Sequence, residues 1–280
     1  MSTAHETRDE QTKRWNSAPG QAWVEMQAVL DQTFTPLETV LVDAVAAASP
    51  ARVLDIGCGT GATTLAVARR IAPKEGCVGV DISEPMIAAA RARAERERLH
   101  VTFICANAQE HAFDPASMDM LISRFGVMFF DDPVRAFANM HRAARSSAEL
   151  RFIVWRSAAE NPFMTTAERA AAPLLPNLPE RKPDAPGQFA FANGERVHGI
   201  LKESGWSAID IQPLDVTCTF PEQELVRYLT RLGPVGLALQ DADDNTRARV
   251  IAAIRPAFDP FVHAADVRFV AACWMISARG

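Results

Sequence analysis

Three glycines at alternate positions, Gly57, Gly59 and Gly61, follow the carboxylate Asp55 in the stretch Val53-Leu54-Asp55-Ile56-Gly57-Cys58-Gly59-Thr60-Gly61-Ala62. Glycine takes positive φ at little steric cost and lets backbone pass close to a ligand. A helix starting behind such a turn offers free N–H groups to an electron-rich partner. The chemistry these residues suit is the cradling of a nucleotide-like cofactor. Gly57, Gly59 and Ala62 also satisfy the G-x-G-x-x-G/A dinucleotide fingerprint, and Asp81 follows at the expected distance of roughly 20 residues. Asp55 is expected to separate the two ligand classes. At a strand end just before the first glycine, its carboxylate would repel a pyrophosphate and suit a ligand bearing an ammonium and a sulfonium. Asp81, ending the next strand, can accept hydrogen bonds from ribose hydroxyls of either ligand. S-adenosylmethionine meets both conditions, NAD only the second.

The elements around this loop alternate. The pattern predicts strands over Arg52–Ile56, Cys77–Ile82, Val101–Ala106, Met118–Phe125 and Leu150–Trp155, with helices over Ala62–Ile71, Glu84–Arg98 and Pro133–Arg145. Strands that alternate with helices pair in parallel through right-handed crossovers, so the expected fold is α/β, a doubly wound, Rossmann-like, seven-stranded and mostly parallel sheet with helices on both faces. A helix over Glu195–Gly205, a strand within Ile209–Phe220 and a last strand over Val267–Ala278 complete it. Ahead of the sheet, Trp15 to Ala48 has helical spacing that Pro36 is expected to split in two. Two stretches fall outside the repeat. Asn161–Phe191 is too proline-rich for one helix, and Glu222–Phe258 reads as helices broken at Gly233-Pro234. The organisation expected is therefore a single domain over 1–280, with an N-terminal helical lid (1–48), a cofactor-binding core (49–156) and substrate-cover insertions at 157–194 and 221–264.

The motif residues carry a resemblance. VLDIGCGTG resembles the first motif of the class I S-adenosylmethionine-dependent methyltransferases, and the acidic end of GVDISEPMI resembles their second. SRFGVMFFDDPVRAFANMHRA is similar to a segment of their bacterial small-molecule branch. The resemblance spans about Trp15 to Arg156. It implies that Gly57, Gly59 and Gly61, with Cys58 and Thr60 between them, wrap the methionine moiety, with Asp55 near its ammonium; the residues alone leave open whether Trp23, with Trp15, forms an aromatic lid over that end or staples the first helix to the domain. It places Asp81 on the ribose and Ile82 and Met86 beside the adenine. Asn107-Ala108-Gln109 stands where relatives often carry an acidic residue and Ala, so Asn107 would offer a carbonyl to the adenine amino group. Ser123, Arg124 and Phe125 would lie where cofactor and acceptor meet. Ser146-Ser147-Ala148-Glu149 replaces a Pro-Gly-Gly turn before the fifth strand.

What this implies is methyl transfer from S-adenosylmethionine, leaving S-adenosylhomocysteine, to O, N or C of a small, largely apolar metabolite. Proximity and orientation can supply most of the acceleration, so no catalytic side chain is required. The candidates are His111, Arg124, His198 and His263. Two other readings stay open from the residues alone, an NAD(P)-dependent oxidoreductase and a non-catalytic relative that keeps the cofactor as a ligand.

Composition bounds the partners. With 48% apolar and 22% charged residues and a net charge of −5 over 280 residues, the chain is an ordinary globule with no field drawing it to nucleic acid or anionic lipid. No apolar run approaches the roughly 20 residues of a membrane span. The five cysteines form no CxxC pair and no histidines have metal-ligand spacing, so no metal is expected and buried free thiols are. The N-terminus, MSTAHETRDEQTKRW, lacks an apolar signal core, which points to the cytoplasm. The expected partner is a small-molecule acceptor, with a homodimer open.

Overall fold

The computed structural model describes residues 10–182 and 184–280, so the first nine residues of the polar N-terminus lie outside the described chain. After a helical stretch at residues 10–15 come α1 (Ala18–Glu25) and α2 (Gln27–Ala48). Then follow β1 (Arg52–Ile56), α3 (Ala62–Ile71), β2 (Gly76–Asp81), α4 (Glu84–Glu97), β3 (Val101–Cys105), β4 (Met118–Arg124), α5 (Pro133–Ala143) and β5 (Ala144–Trp155). The remainder comprises α6 (Pro162–Ala171), α7 (Gly194–Glu203), β6 (Ser207–Pro221), α8 (Leu225–Arg231), α9 (Gly233–Ala238), α10 (Asp244–Ala257), β7 (Val262–His263) and β8 (Asp266–Arg279).

The sheet order is β3-β2-β1-β4-β5-β8-β6, with the two-residue β7 paired to β8. Strands β1 to β5 are parallel, and β8 runs antiparallel between β5 and β6. This is the doubly wound architecture expected. Because β1 has β2 on one side and β4 on the other, the winding reverses there, and the carboxyl ends of β1 and β4 open a crevice at the switch point. Gly57 leaves one of those ends and Phe125 the other.

Alternation along β1 sorts its side chains between the two faces. Val53 packs with Ala66, Val67 and Cys77 on the α3 side. Leu54 and Ile56 join the larger cluster that includes Leu30, Phe34, Leu37 and Leu41 of α2. Helix α2 is therefore packed into the core over most of its length.

Pro36 does not divide it. The helix runs unbroken from Gln27 to Ala48, and the break comes at Met26. Proline removes one N–H, yet nearby carbonyls of α2 gain hydroxyl donors: Thr33 Oγ1 donates to Val29 O (2.6 Å) and Thr35 Oγ1 to Asp31 O (2.7 Å). Burial of Phe34, Leu37 and Leu41 against the sheet holds the rest.

The segment before the fifth strand also differs from expectation. It is no turn: β5 starts at Ala144, and its pairing jumps from Met118↔Ala144 to Met120↔Glu149, a bulge opposite Asp119. Asp119 holds the bulge, since Arg145 Nη1 donates to one of its oxygens and Arg52 N to the other. Arg145 Nη2 also pairs with Glu75 at 2.8 Å. Four of the cysteines are buried, and Cys105 is exposed; all five are free. Among the described residues no helix is long and apolar enough to cross a membrane.

Candidate functional site

The carboxyl ends of β1, β2 and β4 open into a cavity of about 680 Å³. Its floor is the glycine loop. Gly57 has φ +66° and Gly59 φ +55°, both left-handed, and both line the cavity. Gly57 N and Cys58 N donate to Val80 O, tying the loop to β2. Gly57 lies against Gly126 so closely that a Cβ on it would stand 2.6 Å from Gly126 Cα. Gly59 is different: a Cβ there would meet only Met86 Sδ at 3.6 Å, so its open side faces the cavity.

Asp81 stands beside it. Its Oδ2 accepts from Gly59 N (2.8 Å) and its Oδ1 from Ser83 N (2.9 Å). Each oxygen keeps a lone pair. Burial pushes this carboxyl above its ordinary value, opposed by the backbone hydrogen bonds from Ser83 and Gly59. Further round the wall, Ile82, Met86, Asn107, Ala108 and Gln109 line the cavity together with Trp23, Arg124 and Phe125. Asn107 Oδ1 accepts from Gln109 N (3.0 Å), so the carbonyl expected to be free already closes a local turn. Gln109 Oε1 accepts from Asp132 N. The Ala108 N–H donates to no described residue, which leaves it for a ligand.

The structure does not bring Asp55 to this wall. The side chain is 1% exposed and lies on the α3 face of β1, where Thr64 Oγ1 donates to its Oδ2 at 2.6 Å. The reason is strand parity: Ile56 points to the cavity, so Asp55, one residue earlier, points away. Among the described residues of the wall Asp55 is therefore absent, contrary to the placement expected for it. Burial pushes its carboxyl up to about 7, against the lowering effects of the Thr64 hydrogen bond and of Arg124.

This sets a pH dependence. Folding raises the Asp55 pKa above its ordinary value near 4, so ionisation of this group costs stability. The penalty is absent below about pH 4, grows across the interval and is complete above about 7. Asp55→Asn keeps an acceptor for Thr64 and removes the titration. The stability of the natural chain relative to Asp55→Asn is expected to fall by a few kcal/mol between pH 4 and 7 and then level off. Melting temperatures of both proteins across that range check it; parallel curves would refute it.

Other residues expected at the cofactor serve the loop from behind. Cys58 packs with Leu65, Ile87 and Phe103. Thr60 O accepts from the buried Arg93, whose other nitrogen pairs with Asp31 of α2 at 2.7 Å. Gly61, with φ +82°, precedes α3 and abuts Phe103 and Ala90. Ser123 is fully buried; its hydroxyl donates to Ile56 O and accepts from Gly126 N. None of these four lines the cavity. Of the catalytic candidates, His111 sits edge-on to Phe113 outside the wall, and His198 and His263 are exposed on α7 and β7. Only Arg124 lines the cavity. Its guanidinium lies over the Phe34 ring at 5.5 Å, and its Nε donates to Thr63 Oγ1 at 3.2 Å. Burial lowers its pKa, while Glu38, Asp31 and Asp55 oppose that shift.

Several wall residues carried no local signal in the sequence. Gln11 contributes a buried Oε1 with no hydrogen-bond partner among the described residues. Phe34 joins Phe125 and Trp155, whose rings stack at 4.6 Å. The N-terminal segment is fastened over the site by contacts across more than sixty residues. Asn16 Oδ1 accepts from Glu84 N, Asn16 Nδ2 donates to Ile82 O, and Ser83 Oγ donates to Trp15 O. Trp15, which meets Trp23 and Phe129 edge-on, thereby reaches the cavity. A Cβ on Gly20 would lie 1.9 Å from Trp15 O. Gly20→Ala is therefore expected to lift this segment and weaken S-adenosylhomocysteine binding about tenfold with little loss of melting temperature. Calorimetry and thermal melting read the two effects; an unchanged affinity would show that the segment does not cover the ligand.

Comparison with known proteins agrees with this geometry. A family model described as a methyltransferase domain matches residues 53–147. An aklanonic acid methyltransferase of Streptomyces sp. (strain C5) is 34% identical over 159 residues, which cover 54% of this chain and 71% of that protein. The chain belongs to the S-adenosylmethionine-dependent methyltransferases. A demethylmenaquinone methyltransferase of Thermus thermophilus is 34% identical over 109 residues, 39% of this chain and 49% of the relative. The YcgJ protein from Bacillus subtilis shares the fold, with a TM-score of 0.56 at 15% identity over 86% of this chain and 97% of that one. S-adenosylmethionine is the cofactor of this methyltransferase, and the wall fits it. Asp81 has acceptors for two hydroxyls, Ala108 a free donor, and Gly59 an open face where a side chain would intrude.

Proposed function

We propose that this methyltransferase transfers a methyl group to O, N or C of a small, largely apolar acceptor bound beneath the segments 157–194 and 221–264. The observation that carries this reading is the continuity of the cavity. The wall that holds Gly57, Gly59 and Asp81 runs without interruption into Phe163, Met164, Leu229, Leu232, Val235 and Phe258. Such a lining suits a largely apolar ligand. The cover is tied to the sheet, since Asn161 donates to Ala272 O and accepts from Ala272 N, and Gly187 N donates to Met128 O.

When bound, S-adenosylmethionine supplies a methyl on a sulfonium sulfur, open to in-line attack. Asp81 would accept from the ribose hydroxyls, Ala108 N–H would meet the adenine, and the glycine loop would hold the methionine moiety. Arg124 lacks a close carboxylate partner, so it would receive the methionine carboxylate. No histidine is present among the described residues of the wall, which supports acceleration through alignment and dehydration rather than through a dedicated base.

Two measurements test the reading. Calorimetry is expected to show binding of S-adenosylhomocysteine and none of NAD. Host extract supplied with the enzyme and isotopically labelled donor is expected to yield a metabolite heavier by one CH2 unit. Binding without any labelled product in such extracts would favour a relative that keeps the cofactor only as a ligand.

A further inference from the structure

The acceptor side of the cavity is lined largely by apolar residues, and α8 adds two polar side chains to it, Tyr228 and Arg231. Tyr228 is the chain's single tyrosine, and it lines the cavity. Its ring is held on two sides: it stacks on the fully buried Phe220 at 5.0 Å and tilts against Phe163 at 5.9 Å. Its hydroxyl makes no hydrogen bond to any described residue. Two charged groups of the wall are engaged elsewhere, Glu168 by Arg181 and Arg231 by Glu25. A phenol whose ring is fixed by packing, in the wall of the cavity and with its hydroxyl unengaged by the described residues, is free to bond a ligand oxygen.

We propose that Tyr228 orients the methyl acceptor by donating a hydrogen bond to a hydroxyl or carbonyl oxygen on it, so that the preferred acceptor is an apolar compound bearing such an oxygen. This rests on the reading of the covered compartment as the acceptor site. Burial pushes the phenol well above its ordinary range, so it stays protonated and donates at neutral pH. The rigid stack gives the donor a fixed position, which costs no ordering when the acceptor arrives. A site built around one such donor rejects the analogue that lacks its partner more strongly than an apolar pocket rejects a change of size.

The test uses 1-naphthol and naphthalene as probes of the protein saturated with S-adenosylhomocysteine. By equilibrium dialysis the natural chain is expected to prefer 1-naphthol about tenfold, and Tyr228→Phe to bind the two within twofold of each other. Its S-adenosylhomocysteine affinity and melting temperature are expected to stay unchanged, which separates an orienting role from a structural one. A natural chain indifferent to the hydroxyl, or a Tyr228→Phe protein that keeps the preference, overturns the proposal. Failure of the proposed function reads differently: the natural chain then yields no labelled product from extract, whatever its preference between the probes.

Discussion

Gly126→Ala is expected to weaken S-adenosylhomocysteine binding at least a hundredfold while the protein remains folded. The residue has φ −77° and ψ −37°, a conformation alanine adopts freely, so backbone strain contributes nothing to the effect. The cost is contact. An added Cβ would stand 2.4 Å from Ile56 O and 2.7 Å from Gly57 Cα, backbone atoms that no rotamer change can move aside. Ser123 holds the same crossing shut, bonding Ile56 O with its hydroxyl while accepting from Gly126 N. Relief therefore requires the ends of β1 and β4 to separate, and the end of β1 carries the cofactor loop. Displacements of about 1 Å in a binding loop cost orders of magnitude in affinity or rate. Calorimetry with S-adenosylhomocysteine and a circular-dichroism melt decide the matter. Near-natural affinity in a folded Gly126→Ala protein would mean that the close approach of the two glycines is dispensable.

That crossing was only half legible in the sequence. Gly57, Gly59 and Gly61 announce a strand-to-helix turn because positive φ leaves a residue signature, and β1 and α3 have the bounds the pattern predicts. Gly126 leaves no such trace, since its backbone is helical and its need for glycine comes from a partner nearly seventy residues away. The placement of Asp55 was illegible for a related reason. Its type and spacing suggested a ligand contact, but the pleat sends Asp55 and Ile56 to opposite faces, and which face meets the cavity is a property of the assembled sheet. Pro36 shows the converse: a strong local signal overridden by packing of Phe34, Leu37 and Leu41. Asn16 carries no periodic signal at all. It accepts from Glu84 N across the fold, so it becomes visible only when distant elements meet.

Asp81 is where the sequence was most direct, and its replacement has the other large expected effect. Asp81→Asn is expected to lower S-adenosylhomocysteine affinity by about a thousandfold, because the carboxylate acts on two sides. Toward the protein it accepts from Gly59 N and Ser83 N, and a carboxamide would set its NH2 against one of those donors. Toward the ligand it offers charged acceptors to two hydroxyls, each such bond contributing about 1.5–3 kcal/mol. A pH experiment isolates the ligand side. Burial raises the Asp81 pKa above the ordinary carboxylate value, and the ionised form is the one that accepts from both hydroxyls. Affinity should therefore be full above that raised pKa and fall as pH drops through it, at a pH higher than an exposed aspartate would give. The residual affinity of Asp81→Asn should lack this dependence. Binding isotherms of both proteins from neutral pH down to the limit of folding separate the outcomes. An affinity of the natural chain that stays flat until the fold itself fails would remove the ionised carboxylate from cofactor binding and leave Asp81 as a brace for the glycine loop alone.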